Sequence, residues 1–234
     1  MTDIQAAPPR RMPIILCLGL IFVYPLLVIP LQMPLHELVL RAGRNEARFA
    51  AEAFAWLYAA AVLAIALFWE RRTPASIGLR RITLASLGFG IGALAAIYVV
   101  GGIAGYVVYF VLHEPERAPA QVAALLGGSL LYALSLGVRA GVIEEIFFRG
   151  LAIEQLTVLT GRRRLSALIA TSVFVLMHAL FFDWVQLVPV AAISVVLAVL
   201  YLWRHDLWAN IIAHAVVDCI SLTIIVLRVH IEMP

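Results

Sequence analysis

Lysine is missing from this 234-residue chain, and charge of either sign is scarce. Charged residues make up 13% of the chain and hydrophobic residues 64%, with a mean hydropathy of +1.01. A soluble domain is near half apolar and a quarter charged, so this composition excludes a soluble globular domain and predicts an integral membrane protein. The basic residues are all arginines, in short clusters between apolar runs. This pattern indicates membrane topology, and no nucleic-acid partner is expected.

Cysteine is almost absent, which excludes two further kinds of site. Cys17 and Cys219 lie in separate apolar segments, so neither a disulfide framework nor a cysteine metal site is predicted. The zinc motif HExxH is also absent. We therefore expect no metal and no cofactor, with zinc as the weaker alternative. Runs that alternate apolar and polar residues are missing too, which excludes a membrane β-barrel.

Long apolar runs divide the chain into candidate membrane spans. The fourth run would be roughly 60 Å long as one helix, about twice the thickness of the bilayer core. It must therefore tilt, bend or divide, and Gly137 and Gly141 flank the expected break. The sequence predicts an all-α, polytopic integral membrane helical bundle, a single transmembrane domain over residues 1–234 with seven or eight transmembrane helices. The runs cover residues 13–33, 49–69, 82–112, 121–160, 165–182, 185–203 and 207–229.

The arginine clusters predict the orientation of the bundle. With seven spans, the arginines at 10–11, 71–81 and 162–164 fall on one side, which the positive-inside rule assigns to the cytoplasm. Three arginines at 41–48 fall on the other side, and eight spans would move the cluster at 162–164 outside. We expect a cytoplasmic N-terminus and the lipid bilayer as a partner. An alanine-rich, lysine-free, short chain favours the bacterial inner (cell) membrane.

Three charges interrupt the apolar run at residues 141–150. Each charge costs on the order of 2.5–3.5 kcal/mol at the centre of a membrane helix, so Glu144, Glu145 and Arg149 together predict a function. Glu145 and Arg149 are spaced i, i+4 on one helix face and should form an ion pair that holds the helix. Glu144 is rotated about 100° from Glu145 and faces another group, which suits a general base.

Two later segments offer partners for Glu144. Phe174 and His178 are spaced i, i+4, and so are His214 and Asp218. Measured from the arginine turn at 162–164, His178 lies at the depth of Glu144, roughly 20–24 Å. The His214 pair is shallower, roughly 10–16 Å from the start of the last span, and the four groups could meet in one buried pocket at or below the mid-plane. A Glu–His pair can activate one water for attack on a carbonyl, while a second histidine donates to the oxyanion. The same glutamate and two histidines could instead bind zinc.

These motifs resemble those of the CPBP intramembrane proteases, the group that includes the CAAX prenyl endopeptidases and the abortive-infection, bacteriocin-processing proteins. The family pattern of Glu-Glu-x-x-x-Arg, Phe-x-x-x-His and His-x-x-x-Asn/Asp is present at 144–149, 174–178 and 214–218. The segments 76–81 and 207–210 also resemble the family. The clear similarity, and with it the catalytic motifs, lies within about residues 139–222.

The resemblance implies that Glu144 and His178 activate the water and that His214 and Asp218 form the oxyanion hole. The prenyl endopeptidases have asparagine where this chain has Asp218. An ionised aspartate would repel an oxyanion, so Asp218 would serve either protonated or by orienting His214.

The sequence thus predicts a metal-independent, glutamate-dependent intramembrane endopeptidase that acts on a membrane-associated peptide or protein. Two alternatives remain: a zinc protease, and a non-proteolytic scaffold, immunity or transport protein that retains the polar pocket, since buried Glu and His also serve proton-coupled transporters. The simpler, non-catalytic interpretations are a structural salt bridge at Glu144, Glu145 and Arg149 and a buried core histidine at His178. The predicted catalytic residues are Glu144, His178, His214 and Asp218, and the supporting residues are Glu145, Arg149 and Phe174.

Overall fold

The regular structure of the described residues is entirely helical. The computed structural model of the chain describes residues 11–24, 44–113, 122–123, 126–180 and 182–232, without the side chains of 44–47 and 229–232. The helices are α1 (Arg11–Tyr24), α2 (Arg44–Ala64), α3 (Leu84–Tyr106), α4 (Leu130–Glu144), α5 (Ile153–Thr160), α6 (Arg163–His178), α7 (Trp184–Arg204) and α8 (Leu207–Glu232). Stretches of π-helix extend α2 over Ile65–Trp69 and α3 over Val107–Val111 and join α4 to α5 over Glu145–Ala152, and a 3-10 turn covers Pro74–Ile77. The all-α prediction is confirmed for this part of the chain.

In the described part of the chain, four helices are long and apolar enough to cross a membrane. They match the second, third, sixth and seventh predicted spans to within a few residues, and α1 is a shorter apolar helix. The protein is therefore a polytopic helical membrane protein. The predicted kinks at Pro25 and Pro30 lie outside the described residues. The four spans are Arg48–Trp69, Leu84–Val111, Trp184–Arg204 and Leu207–Arg228.

The fourth apolar run is interrupted at 127–129, before the helix that carries the glutamates begins. Gly127 and Gly128 have φ values of 51° and 76°, in the left-handed region that glycine adopts without a Cβ clash. The Ser129 side chain then caps α4, because its oxygen accepts a hydrogen bond of 3.2 Å from the Tyr132 backbone N–H. The helix that carries the glutamates is therefore shorter than the predicted run.

The predicted break at Gly137 and Gly141 is wrong, because α4 passes through both without interruption. A Cβ on Gly137 would lie 2.8 Å from the backbone nitrogen of Cys219, and one on Gly141 would lie 2.4 Å from that of Ala215. The glycines thus let α4 and α8 touch backbone to backbone. The helix leaves α geometry only in the stretch Glu145–Ala152, whose wider π turns are often found at functional sites.

Helix α8 begins against the loop that precedes α3. The backbone N–H of Leu207 donates a hydrogen bond of 3.0 Å to the carbonyl of Gly78, in the loop before α3. That loop packs against the π-helical stretch, since a Cβ on Gly150 would lie 3.2 Å from the Ile77 carbonyl and 3.1 Å from the Leu207 side chain. The start of α8 is therefore level with Gly150, and this decides which residues of α4 and α8 meet.

Candidate active site

The contact between α4 and α8 brings four of the predicted site residues together. Glu144 ends α4 and Glu145 begins the π-helical stretch, while His214 and Asp218 lie one turn apart on α8. The predicted difference in depth between Glu144 and His214 is wrong: their side chains approach to 3.9 Å. The prediction assumed that all helices start in one plane, whereas α8 starts level with the middle of the π-helical stretch.

Glu145 is completely buried and surrounded by hydrogen-bond donors. Arg149 Nη1 donates to Oε1 at 2.7 Å, and Asn210 Nδ2 donates to Oε2 at 3.1 Å. His214 Nδ1 lies 2.7 Å from the same Oε1. The predicted ion pair with Arg149 is confirmed. A buried carboxylate is tolerated here because every contact neutralises or solvates its charge.

Arg149 connects this carboxylate to two more helices. Its Nη2 donates to the side chain and the backbone carbonyl of Ser194 on α7, at 2.9 and 3.3 Å. Its guanidinium lies over the ring of Phe174 on α6, 4.6 Å from the centroid. Ser194 was not predicted, because a serine in an apolar run gives no signal of its own. Asn210 lay in a segment that resembles the family, but no role was predicted for it.

The contacts of His214 assign its ring nitrogens. Since Glu145 is held ionised by Arg149 and Asn210, His214 Nδ1 must be the donor in the 2.7 Å hydrogen bond. The other nitrogen, Nε2, then faces two carboxylates. It lies 3.9 Å from Glu144 Oε2 and 3.5 Å from Asp218 Oδ2. The histidine is therefore fixed in orientation from one side and open to chemistry on the other.

Glu144 and Asp218 occupy the accessible side of this group. Their side chains are 21% and 32% exposed, against 6% for His214 and 0% for Glu145. Among the described residues, no group donates a hydrogen bond to Glu144, and its shortest ion-pair distance is the 3.9 Å to His214. The two neighbouring glutamates thus differ: Glu145 is enclosed by its partners, and Glu144 accepts no hydrogen bond from the described residues.

His178 joins the group through an aromatic ring. Its Nδ1 lies 2.8 Å from the carbonyl of Phe174, and because a carbonyl only accepts, that nitrogen carries the proton. The Phe174 ring lies 4.4 Å from the His178 ring and 6.3 Å from the His214 ring, between centroids. The Phe174 ring thus contacts both histidine rings, and within the described residues His178 forms no ion pair with Glu144. The Nε2 of His178 is left to accept a hydrogen bond.

The comparison with known families agrees with this site. A family model described as type II CAAX prenyl endopeptidase Rce1-like matches residues 126–220. Residues 126–220 are therefore similar to the CAAX protease (CPBP) family. No curated protein and no solved structure matches the chain. The CAAX protease-like segment runs from the start of α4 into α8 and contains every residue of the site described so far.

One charge pair connects the CAAX protease-like segment to the first half of the chain, and the sequence reasoning missed it. Arg139 on α4 donates from Nε to Glu52 Oε1 on α2 at 3.0 Å and from Nη1 to the Tyr24 hydroxyl on α1 at 3.3 Å. Glu52 is 8% exposed. The signal was present in the sequence, since lone charges within apolar runs are rare and usually functional. Unlike Glu145 and Arg149, Arg139 and Glu52 lie far apart along the chain, so helical spacing could not predict that they pair.

Proposed function

We propose that this protein is a CAAX-type intramembrane endopeptidase in which Glu144 and His178 activate a water molecule. The family match supplies the reaction class. One observation carries the assignment of the base: Glu145 is enclosed by Arg149, Asn210 and His214, whereas Glu144 is partly exposed and accepts no hydrogen bond from the described residues.

In this proposal Glu144 takes a proton from the water while the water oxygen attacks the carbonyl carbon of the scissile bond. The same proton then passes to the leaving amine when the C–N bond breaks, so Glu144 returns to its starting state. The Nδ1 proton of His178 is committed to the Phe174 carbonyl, so its Nε2 lone pair can accept the other proton of the water in a hydrogen bond. Two acceptors thus orient one water towards the substrate.

His214 stabilises the oxyanion of the tetrahedral intermediate. Its Nδ1 proton is held by Glu145, so Nε2 can donate to the oxyanion only when the ring is an imidazolium. Carboxylates on both sides of the ring favour that charged form. A charged donor in a dry site is stronger than a neutral one. Asp218 then acts by stabilising the charge on His214, which removes the conflict between an ionised aspartate and an oxyanion.

We also propose seven membrane spans with a cytoplasmic N-terminus, in a bacterial inner membrane. The π-helical stretch joins α4 and α5 into one continuous helix, which supports seven spans over eight. Arg71, Arg81, Arg162 and Arg164 are exposed at helix ends that share one side in this arrangement. Single-cysteine variants at Arg71 and Arg164 should both react with a membrane-impermeant maleimide only after the cells are opened. Labelling of the cysteine at either position in intact cells would contradict this topology.

A cleavage assay tests the function. The purified protein in liposomes is given quenched fluorescent peptides that end in a Cys-aliphatic-aliphatic-X box, with and without a farnesyl group. We expect the protein to cleave at least one of the two, and the Glu144→Ala variant to cleave neither while eluting as the same species in size-exclusion chromatography. Full cleavage by Glu144→Ala would refute the mechanism. Comparative proteomics of membrane and secreted fractions from cells with either form then identifies the natural substrate.

Zinc dependence is tested separately. No group of three or more His, Cys, Asp and Glu side chains in the described part of the chain is arranged to hold a metal ion. We expect cleavage to survive exhaustive chelation and elemental analysis to find no stoichiometric metal. If chelation abolished cleavage and added zinc restored it, zinc and not Glu144 would be the group that activates the water.

A transport protein is the second candidate, because buried ionisable residues on α2, α4 and α8 are also typical of proton pathways. Proton flux in liposomes that carry a pH-sensitive dye separates the two functions. A flux that depends on Glu144, without cleavage of any peptide, would favour transport.

A further inference from the structure

A groove runs between α3 and α7 on the outer side of the bundle. Its volume is about 570 Å³, and its lining side chains are all alanine or valine, two on α3 and five within residues 191–199 of α7. Val195 and Val199 are more than half exposed, so the groove opens towards the lipid. On the same helix, Ser194 is completely buried and binds Arg149. The groove is therefore a lipid-facing feature that the proposed function does not use.

An aromatic pair lies at one end of this groove. The rings of Phe89 on α3 and Trp203 on α7 meet edge to face, 5.2 Å between centroids. Trp203 lies one turn beyond Val199 on the same helix face. Phe89 lies two turns before Ala96, a lining residue of α3, again on one face. In the proposed topology this end is cytoplasmic, and tryptophan is typical of the membrane–water interface.

Arg204 places a positive charge over this aromatic pair. Its guanidinium carbon lies 4.0 Å from the centroid of the Phe89 ring and 5.4 Å from that of the Trp203 ring. The side chain is exposed, and within the described residues it forms no ion pair. Contact with the rings uses none of its N–H donors, whose planar fork matches the oxygens of a phosphate. The groove thus ends at a cation that is available to an anionic group.

The neighbouring charges leave this cation available. Arg80, in the loop before α3, adds a second guanidinium, 3.4 Å from Nδ1 of His205, the residue after Arg204. Asp206 Oδ1 accepts hydrogen bonds of 3.1 and 3.4 Å from two backbone N–H groups in the first turn of α8, so it caps that helix. Glu154, 3.3 Å from His205, is paired with an arginine of α6. The end of the groove therefore keeps its positive charge.

We propose that this groove binds one anionic phospholipid, with an acyl chain between α3 and α7 and the phosphate on Arg204. The dimensions agree with such a ligand. Ala191, at the far end of the groove, precedes Arg204 by 13 residues, roughly 20 Å along the helix axis. Half of a bilayer with its headgroup region is about 20–22 Å thick. A lipid whose phosphate contacts Arg204 therefore has chains that reach the far end of the groove.

Charge and length together favour a phospholipid over other apolar occupants. A prenyl chain or an apolar helix of a second copy could cover the alanines and valines, but neither requires a cation at the end of the groove. In the proposed topology Arg204 faces the cytoplasmic leaflet, which carries the anionic lipids. The binding itself depends neither on that topology nor on peptide cleavage.

Two substitutions separate the headgroup from the chain. Arg204→Gln keeps the groove and removes the charge, and the loss of one arginine contact should weaken binding of an anionic lipid about fivefold. Ala192→Phe keeps the charge and fills the groove, so it should weaken binding of a lipid with any headgroup. Their controls are Arg164→Gln, at an exposed arginine outside the groove, and Leu168→Phe, at an exposed leucine of α6.

Native mass spectrometry of the full-length protein in detergent tests the proposal. The protein is mixed with equal amounts of phosphatidylglycerol and phosphatidylcholine, and the bound lipids are counted. We expect one phosphatidylglycerol per chain, bound in preference to phosphatidylcholine. Arg204→Gln should lose that preference, Ala192→Phe should lose both lipids, and both controls should bind as the wild type does. Glycerol phosphate, which has the phosphate without the chains, should not displace the lipid.

Four results would overturn the proposal. Equal binding of the two lipids by the wild type would show adventitious lipid only, and unchanged preference in Arg204→Gln would show that the cation has no role. Displacement of the lipid by a farnesylated peptide would assign the groove to substrate, and a dimer that Ala192→Phe dissociates would assign it to a second copy. If Ala192→Phe fails to fold, Val195→Phe fills the same groove from an exposed position.

Discussion

Gly141 on α4 lies directly against the backbone of Ala215 on α8, so close that a Cβ would fall 2.4 Å from the Ala215 nitrogen. Ala215 follows His214, and Gly141 is one turn before Glu145. The hydrogen bond of 2.7 Å between Glu145 and His214 therefore depends on a backbone-to-backbone contact one turn away. The absence of a side chain at Gly141 sets the geometry of the site.

Gly141→Ala should disrupt the site without adding any polarity. The added methyl would force α4 and α8 apart, and overpacking of this kind costs about 1–3 kcal/mol. We expect a lower melting temperature in detergent and a lower rate of peptide cleavage. Gly92→Ala is the matched control, because a Cβ on Gly92 of α3 meets nothing within 4 Å. Equal effects of the two substitutions would show that the helix contact does not position the site.

Replacement of Glu144 should remove activity and preserve the fold. Glu144→Gln has the same shape but cannot take a proton, and loss of general-base catalysis lowers rates by about 10²–10⁴-fold. Glu144 forms no hydrogen bond with the described residues. The melting temperature of the Glu144→Gln variant should therefore stay near that of the wild type. His178→Ala should also lower kcat strongly. Retention of wild-type kcat in Glu144→Gln would identify a different base.

Arg149→Ala should mainly destabilise the protein. It leaves the fully buried Glu145 without its cation, and a broken buried ion pair costs about 3–5 kcal/mol. It also removes the hydrogen bonds to Ser194 and the contact with the Phe174 ring. We expect a large drop in melting temperature and in yield of folded protein.

The control for Arg149→Ala is Arg163→Ala. The Arg163 side chain is 39% exposed in its pair with Glu154, so its loss should cost less than about 1 kcal/mol. Comparable melting temperatures of the two variants would show that the buried pair does not carry stability.

Asp218→Asn tests how the oxyanion is stabilised. In the proposed mechanism Asp218 favours the imidazolium form of His214, at 3.5 Å from Nε2. The substitution removes that negative charge, so His214 should lose its second proton more readily and the alkaline limit of cleavage should move about one unit lower in pH. Below that limit, kcat should stay within about tenfold of wild type, because the amide offers a donor of its own. An unchanged pH–rate profile would show that Asp218 does not act through the charge of His214.

Local spacing made part of the site predictable. Glu145 and Arg149 are four residues apart, so helical geometry alone places them on one face, and the structure has their ion pair at 2.7 Å. The spans were predictable for the same reason, because an apolar run of sufficient length needs no partner to be recognised. Asn210 and Ser194 were not predictable as partners of that pair, since their contacts cross between helices that are far apart in sequence.

The level at which α8 starts could not be predicted from the sequence. Equal starting planes would put His214 at a shallower level than Glu144, yet the loop at Gly78 seats the start of α8 against Gly150 and brings the two side chains to 3.9 Å. Gly137 and Gly141 were interpreted as a break, although they form the contact with α8. Glycine permits both a bend and a close approach, and only the neighbouring helix determines which occurs.

By itself the sequence determined the membrane class, four of the spans, the motifs and the different roles expected of Glu144 and Glu145, because hydropathy and helical periodicity are local properties. The tertiary structure decided which group faces Glu144. His214 reaches it because two glycines bring α8 into contact with α4, and Glu52 and Tyr24 on two other helices hold Arg139. These are contacts between distant segments, and their distances depend on how the helices pack.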